Sequence, residues 1–298
     1  MPKLFTSPEV SDYFVGYDFG PSERESGDFD EQILRDYEDG RCIYFRNWNI
    51  DFDRDFFSKL DLEPNRAAKK LKSKLGNGDD IDPEQLHANL AQCARDPLTT
   101  ALFPAQAAYV AAQVLPIFQR IFRRMTFFER RLTWRMLETV HEDLHIDVYQ
   151  EEKSDHQVRL FVNLDSSARI WNTGFTLDEL LERFGHLLTD AELREAGPGM
   201  LCRMLNQRVY GGLSNAGRDG QPRHTAFFGP GEVWMVDSRK ISHQIFYGRR
   251  ALSVDFFATP QSMDRPEKYY LRSVEAYRRR RGFELRMDAG PAPALASS

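Results

Sequence analysis

The sequence predicts an α+β fold with a mainly β core, a barrel or sandwich of short strands on which helices pack. Three observations carry that expectation. The first third of the chain is helical in pattern, with apolar residues at helical spacing over 105–124. From about Arg131 the pattern changes to short β-rich runs separated by Gly, Pro and polar turns, the spacing of a barrel or sandwich. The 298 residues, 41% hydrophobic and 29% charged, are an ordinary globular composition, long enough to bury a sizeable core. We read 1–298 as one domain: a mostly helical part over 1–130, a β core over 131–260, and a C-terminal helix with a loose tail over 261–298.

The acidic first forty residues, rich in Asp, Glu, Gly and Ser, read partly as loop. The turn Glu38-Asp39-Gly40 leads into a short strand at 41–45. A charged helix is expected over 64–74, stopping at Gly76-Asn77-Gly78, and Asp82-Pro83-Glu84 opens another with Pro in its first turn. The helix at 105–124 presents Ala108, Val110, Ala111, Val114, Ile117, Phe118, Ile121 and Phe122 to the core. Strands follow at 144–149, 158–164 and 170–171. A helical insertion spans 176–188, with Thr176 as N-cap and Glu179 three residues on, and 190–196 continues it. Strand character returns at 208–210, 225–228, 233–236, 245–247 and 251–257. A basic helix over 264–281 and a tail over 289–298 close the chain.

The chemistry concentrates in His141-Glu142-Asp143-Leu144-His145-Ile146-Asp147, which holds two overlapping His-x-Asp pairs. On an extended strand, side chains at i and i+2 point the same way, so an imidazole and a carboxylate can share one cation. A third ligand from a distant strand completes a facial triad with three positions left open. His145-Ile146-Asp147-Val148-Tyr149 alternates as a strand should, so His145 and Asp147 are the expected pair, and His141 a neighbouring or surface residue. His156 is too close in sequence, and His186 lies in the helical insertion. His224 remains an alternative, but His243 has the better context: Gly229-Pro230-Gly231, an apolar strand, Asp237, the histidine, a further strand, then Arg249-Arg250. That order suits a barrel mouth where a 2-oxo acid on the metal must also have its far carboxylate neutralised.

Several segments, taken in order, resemble the bacterial Kdo hydroxylases: Leu132-Thr133-Trp134-Arg135, the 144–147 pair, Val158-Arg159-Leu160-Phe161-Val162-Asn163, Arg169-Ile170-Trp171, and Gly229-Pro230-Gly231 through Trp234 to Ile241-Ser242-His243. The similarity spans roughly residues 38–260. It implies a double-stranded β-helix with an N-terminal helical layer and an iron(II)- and 2-oxoglutarate-dependent dioxygenase that uses O2 to hydroxylate an unactivated C–H bond, as its relatives do on the Kdo sugar of lipid A. It further implies that Arg159 and Arg169, matching the family's co-substrate arginines, hold 2-oxoglutarate, since a guanidinium fork binds a carboxylate bidentately. Arg249, shortly after the distal histidine, is a third candidate. We rank them Arg159, Arg169, Arg249. The acidic 151–155 and the stretch 244–257 depart from the family pattern and flank the mouth, which bears on substrate more than on iron. Tyr149, Asn163 and Trp171 are expected toward substrate, although core packing competes for Trp134, Trp171 and Trp234. The carboxylate Asp147 favours hydroxylation or desaturation over halogenation, whose enzymes lack it.

The net charge of −5 gives no reason to expect nucleic acid. Six arginines against one acid over 119–135, and the run 278–281, read as solvated faces or as a peripheral contact with anionic lipid. Cys42, Cys93 and Cys202 lack zinc or disulfide spacing. No signal peptide and no segment approaching the ~20 apolar residues of a bilayer span are expected, so a cytoplasmic location follows, with the inner membrane face as a contact. The substrate is expected to be a small molecule or glycolipid. The competing readings are the same chemistry on an amino acid, natural product or other sugar, and a non-catalytic cupin-like binding protein.

Overall fold

The computed structural model describes residues 2–5, 12–76, 81–137, 142–148, 155–211 and 221–283. Tyr149, His141, most of 151–155 and the tail at 289–298 lie outside the described residues.

Alternation along the central strands explains the architecture. In β6 (His156–Asn163), Val158, Leu160 and Val162 alternate with Arg159, Phe161 and Asn163. In β11 (Arg250–Ala258), Leu252, Val254 and Phe256 alternate with Ala251, Ser253 and Asp255, and the two strands pair in strict register, Leu252 opposite Val162 and Asp255 opposite Arg159. One face of this sheet is therefore uniformly apolar, and the other is polar and aromatic. The apolar face belongs to the larger core cluster with the helices, whereas Phe161 joins a second cluster with Trp171, Phe228, Trp234 and Ile245 between the sheets.

The larger sheet runs β2 (Phe14–Asp18), β3 (Cys42–Asn49), β9 (Glu232–Met235), β6, β11, β5 (Phe127–Met136) and β4 (Leu71–Lys74). The smaller runs β1 (Lys3–Phe5), β8 (His224–Phe228), β7 (Arg169–Thr176) and β10 (Ile241–Tyr247). Residues 142–147 line the free side of β10: His145 and His243 exchange backbone hydrogen bonds of 3.0 and 2.8 Å, Glu142 N donates to Ile245 O, and Asp147 N to Ser238 O. From β5 onward the chain visits larger sheet, smaller, larger, smaller twice, larger, smaller, larger. This is a double-stranded β-helix, and the fold expected from the sequence stands. The turn between β8 and β9 requires Gly231, whose φ is 80° and whose Cα lies so close to the Ile50 carbonyl that a Cβ would sit 2.5 Å from it.

Helices cover both outer faces. On the larger sheet lie α2 (Asp30–Glu38), after the short α1 (Pro21–Ser26), and α6 (Pro97–Ile121), after α3 (Arg54–Ser58), α4 (Arg66–Lys69) and α5 (Pro83–Leu90). Phe118 and Phe103 of α6 pack edge-on against Phe256 and Trp134, with ring centroids 5.0 and 5.6 Å apart. By length and composition α6 could cross a bilayer, more than was expected of any segment. It interrupts its apolar run with Pro104 and Pro116 and buries one face on the sheet, where Ala107 rather than Ala108 is covered. Over the smaller sheet lie α7 (Leu177–Phe184), α8 (Asp190–Glu195), α9 (Pro198–Asn206) and the C-terminal α10 (Tyr270–Arg280).

Three local expectations differ from the structure. Leu71–Lys74 is a strand rather than the end of a helix, because it pairs with β5, Leu71 opposite Trp134. Residues 208–210 continue α9 as a π-turn, Gln207–Gly211, whose Val209 and Tyr210 are buried in the helical layer. The His145–Asp147 segment holds its register by backbone bonds to β10 and Ser238 without forming a regular strand. The arginine runs are drawn into internal pairs: Arg120 with Asp30, Arg124 with Glu31 and Asp264, and Arg135 with Glu142. Arg278 is buried and donates to the Arg194 carbonyl, and Arg281 pairs with Asp190.

Candidate metal centre

Because His145 and His243 face each other across a two-residue bridge, their imidazoles meet, with ring centroids 4.5 Å apart. Asp147, two residues beyond His145, brings its Oδ1 to 3.3 Å from His145 Nε2. Ligand atoms of His145, Asp147 and His243 all lie within 4.8 Å of one another, the one such group among the described residues. His224 sits at the start of β8 against Tyr13, outside this group, and His156 is enclosed beside Tyr37 and Tyr269.

The protonation states suit a cation. His145 Nδ1 lies 2.6 Å from the Asp143 carbonyl; donating there, it makes Nε2, turned to Asp147, the nitrogen that would bind a cation once its proton is displaced. Burial, reinforced by the charge of His145, holds His243 down at about 4, so it is neutral at physiological pH. Burial disfavours charge on Asp147, but the His145 hydrogen bond and the nearby Arg159 outweigh it, keeping the carboxyl well below its usual range. Burial also opposes a charge on His145, yet the Asp147 carboxylate raises its pKa, which makes that imidazole the proton to be displaced by a metal. Two neutral imidazoles and one carboxylate on one side of a cation fit a divalent transition metal.

Beside the triad lies a small cavity bordered by Asp147, His243, Trp171, Trp234, Glu142 and three arginines, Arg135, Arg159 and Arg169. Phe161 and Trp234 stack in its wall with an interplanar angle of 15°, and Phe228 stacks on Trp234 at 12°. Trp171 stands 5.3 Å from His243, ring to ring, so Trp171 and Trp234 line the space while Trp134 packs on the helical side of the sheet.

The three candidate arginines occupy different situations. Arg159 donates through Nη1 to Asp147 and through Nε to Asp255, 2.9 Å away. Arg249 forms a two-pronged pair with Asp165 at 3.0 and 2.7 Å. Arg169 is 2% exposed, and its Nη1 has no hydrogen-bond partner among the described residues. Burial, with the like charge of Arg135 nearby, pushes its pKa down to about 9. It rests on Gly248, where a Cβ would come within 2.5 Å of Nη1, so any other residue there would displace the guanidinium. Asn163 does not turn to the cavity: its amide staples the Ser167 and Phe228 carbonyls and accepts from Asp165 N. Arg135, Glu142, Ser238 and Asp255 border or support the site and were not anticipated, because no local motif marks them.

No family model matches the chain, and no curated protein matches it. Solved structures do. The Kdo hydroxylase KdoO, a non-haem Fe(II) alphaketoglutarate-dependent dioxygenase, in its cobalt(II) complex superposes with a TM-score of 0.67 at 14% identity, over 94% of this chain and 99% of that one. Its complex with alphaketoglutarate and Fe(III) gives 0.65 at 14%, over 91% and 97%. Its complex with succinate and Fe(III) gives 0.65 at 15%, over 89% and 95%. The shared fold thus extends over nearly the whole chain.

Proposed function

We infer that this chain is an iron(II)- and 2-oxoglutarate-dependent dioxygenase that hydroxylates an unactivated C–H bond. The observation that carries this is the His145–Asp147–His243 group beside a cavity bordered by a buried arginine, Arg169, whose Nη1 has no hydrogen-bond partner among the described residues. A metal site alone would suit a cupin-like binding protein. A buried Arg169 whose Nη1 has no hydrogen-bond partner among the described residues calls for an anion, and a dicarboxylate joins the two features.

In this reading His145, Asp147 and His243 hold the iron, which with 2-oxoglutarate supplies oxygen activation that no protein side chain provides. Arg169 receives the far carboxylate, and Gly248 leaves the guanidinium its room. This changes the order expected from sequence, since Arg159 and Arg249 already face carboxylates of the protein. Trp171, Trp234 and Phe161 form the dry wall that excludes water from the reacting centre. The substrate we propose is the Kdo sugar of lipid A, supported by the ordered segments shared with that family and by the likeness to KdoO. Incubation of the iron-loaded protein and 2-oxoglutarate under air with Kdo-containing lipid A, and separately with free amino acids, tests it. Hydroxylated lipid A formed with equimolar succinate is the expected result, and turnover of an amino acid alone would refute the substrate.

A further inference from the structure

We propose that Arg159, together with Ser238, is a positioning residue that holds one oxygen of Asp147 and so presents only the other to the two histidines. The inference rests on the iron reading above and assigns Arg159 a task different from holding the co-substrate. Arg159 Nη1 and Ser238 Oγ both donate to Asp147 Oδ2, the latter over 2.7 Å, and Arg159 Nη1 also lies 2.7 Å from Ser238 Oγ. Oδ1 is the oxygen turned to His145 Nε2.

Arg159 is itself fixed from behind. Its Nε donates to Asp255 Oδ1, and its guanidinium lies 4.8 Å from the centre of the Phe161 ring. Asp255 is buried and accepts from Ser253 Oγ at 2.8 Å, Thr133 Oγ1 at 2.7 Å and Gln157 Nε2 at 3.2 Å. These contacts join β5, β6 and β11, so three strands determine where Arg159 points. Arg159 borders the cavity, and drawing its Nε off Asp255 to reach further into it would cost that buried carboxylate its charged partner.

The chemistry gives this arrangement a purpose. A carboxylate that binds metal through both oxygens occupies two coordination positions, whereas a facial triad must keep three open for a chelating co-substrate and O2. Donors on Oδ2 restrict Asp147 to one. The resemblance to the Kdo hydroxylases implies 2-oxoglutarate as the partner of Arg159; here its guanidinium is engaged by Asp147 and Asp255.

The test compares wild type, Ser238→Ala, Arg159→Gln and Arg159→Lys, each checked for folding by circular dichroism. Ser238→Ala leaves the Arg159–Asp255 pair intact, so it remains informative where Arg159→Gln does not fold. Anaerobic titration with Fe(II) and with Co(II) gives the metal Kd, the visible spectrum of bound Co(II) reports the ligand field, and 2-oxoglutarate is titrated at saturating Co(II). We expect metal binding about tenfold or more weaker in Ser238→Ala and Arg159→Gln, altered Co(II) spectra, partial recovery in Arg159→Lys, and an unchanged 2-oxoglutarate Kd. Wild-type metal affinity and spectrum in the folded variants, or a loss confined to 2-oxoglutarate, would overturn the proposal. Failure of wild type itself to take up either metal would instead remove the iron reading beneath it.

Discussion

Replacing Arg169 by Met retains the aliphatic stem beside Gly248 and deletes the guanidinium. Two effects of opposite sign follow. With 2-oxoglutarate bound, the substitution removes a charge-assisted hydrogen bond in a buried site, worth about 1.5–3 kcal/mol. At about 1.4 kcal/mol per factor of ten, the Kd for 2-oxoglutarate rises roughly 10- to 150-fold. Without co-substrate the sign reverses. Burial lowers the folded-state pKa of Arg169 to about 9, so the folded protein holds that proton less tightly than the unfolded chain. At neutral pH both states carry the charge, and the folded state bears its desolvation. Removing an unsatisfied buried donor, at about 1–3 kcal/mol, therefore raises the Tm of the ligand-free protein. Calorimetric titration of 2-oxoglutarate into Co(II)-loaded protein gives the first effect, and thermal unfolding with and without 2-oxoglutarate gives the second. An unchanged Kd together with a lowered ligand-free Tm would show that Arg169 is a structural residue and refute the reasoning.

Arg249→Gln should leave 2-oxoglutarate affinity unchanged but reduce stability. Asp165 is kept below the usual carboxylate range because the Arg249 hydrogen bond outweighs the penalty of burial; its contribution is present above the unfolded value near 4 and is lost as pH falls through the folded one. The Tm difference from wild type is thus full at pH 7 and shrinks below about pH 4, and a gap constant across that range would contradict this. Trp134→Ala, which empties a fully buried site against Phe103, should cost about 3–5 kcal/mol in denaturant unfolding, and a loss below ~1 kcal/mol would mean that the helical layer is not anchored there. Thr176→Ala removes half of the reciprocal cap with Glu179 and should cost about 1 kcal/mol; no measurable change would show that α7 is held by packing alone.

Much of the fold was legible because local and global preferences agree. Thr176 and Glu179 announce α7, Asp82 and Pro83 announce α5, and the alternation in 158–163 marks a strand with one apolar face. The failures have a common cause. Leu71 and Val209 are apolar residues in short runs, and whether such a run is strand or helix is decided by what it packs against: Trp134 across β5 for one, the helical layer for the other. At the site, alternation selected His145 and Asp147 over His141 and Asp143, and the Gly-Pro-Gly context selected His243; those three side chains do converge. The arginines could not be ranked in this way. Which guanidinium is left without a carboxylate partner among the described residues depends on Asp165, 84 residues from Arg249, and on Asp255, 96 residues from Arg159. Nothing in the sequence states those pairings.

The proposed function requires the triad to act as an iron centre that consumes 2-oxoglutarate. Succinate formation from 2-oxoglutarate, followed under air with and without Fe(II) in wild type and His243→Ala, measures that directly. We predict succinate from wild type only when Fe(II) is present, and none above background from His243→Ala. Succinate formed equally by both proteins, or by neither under conditions where wild type is folded and Fe(II) is supplied, would contradict it.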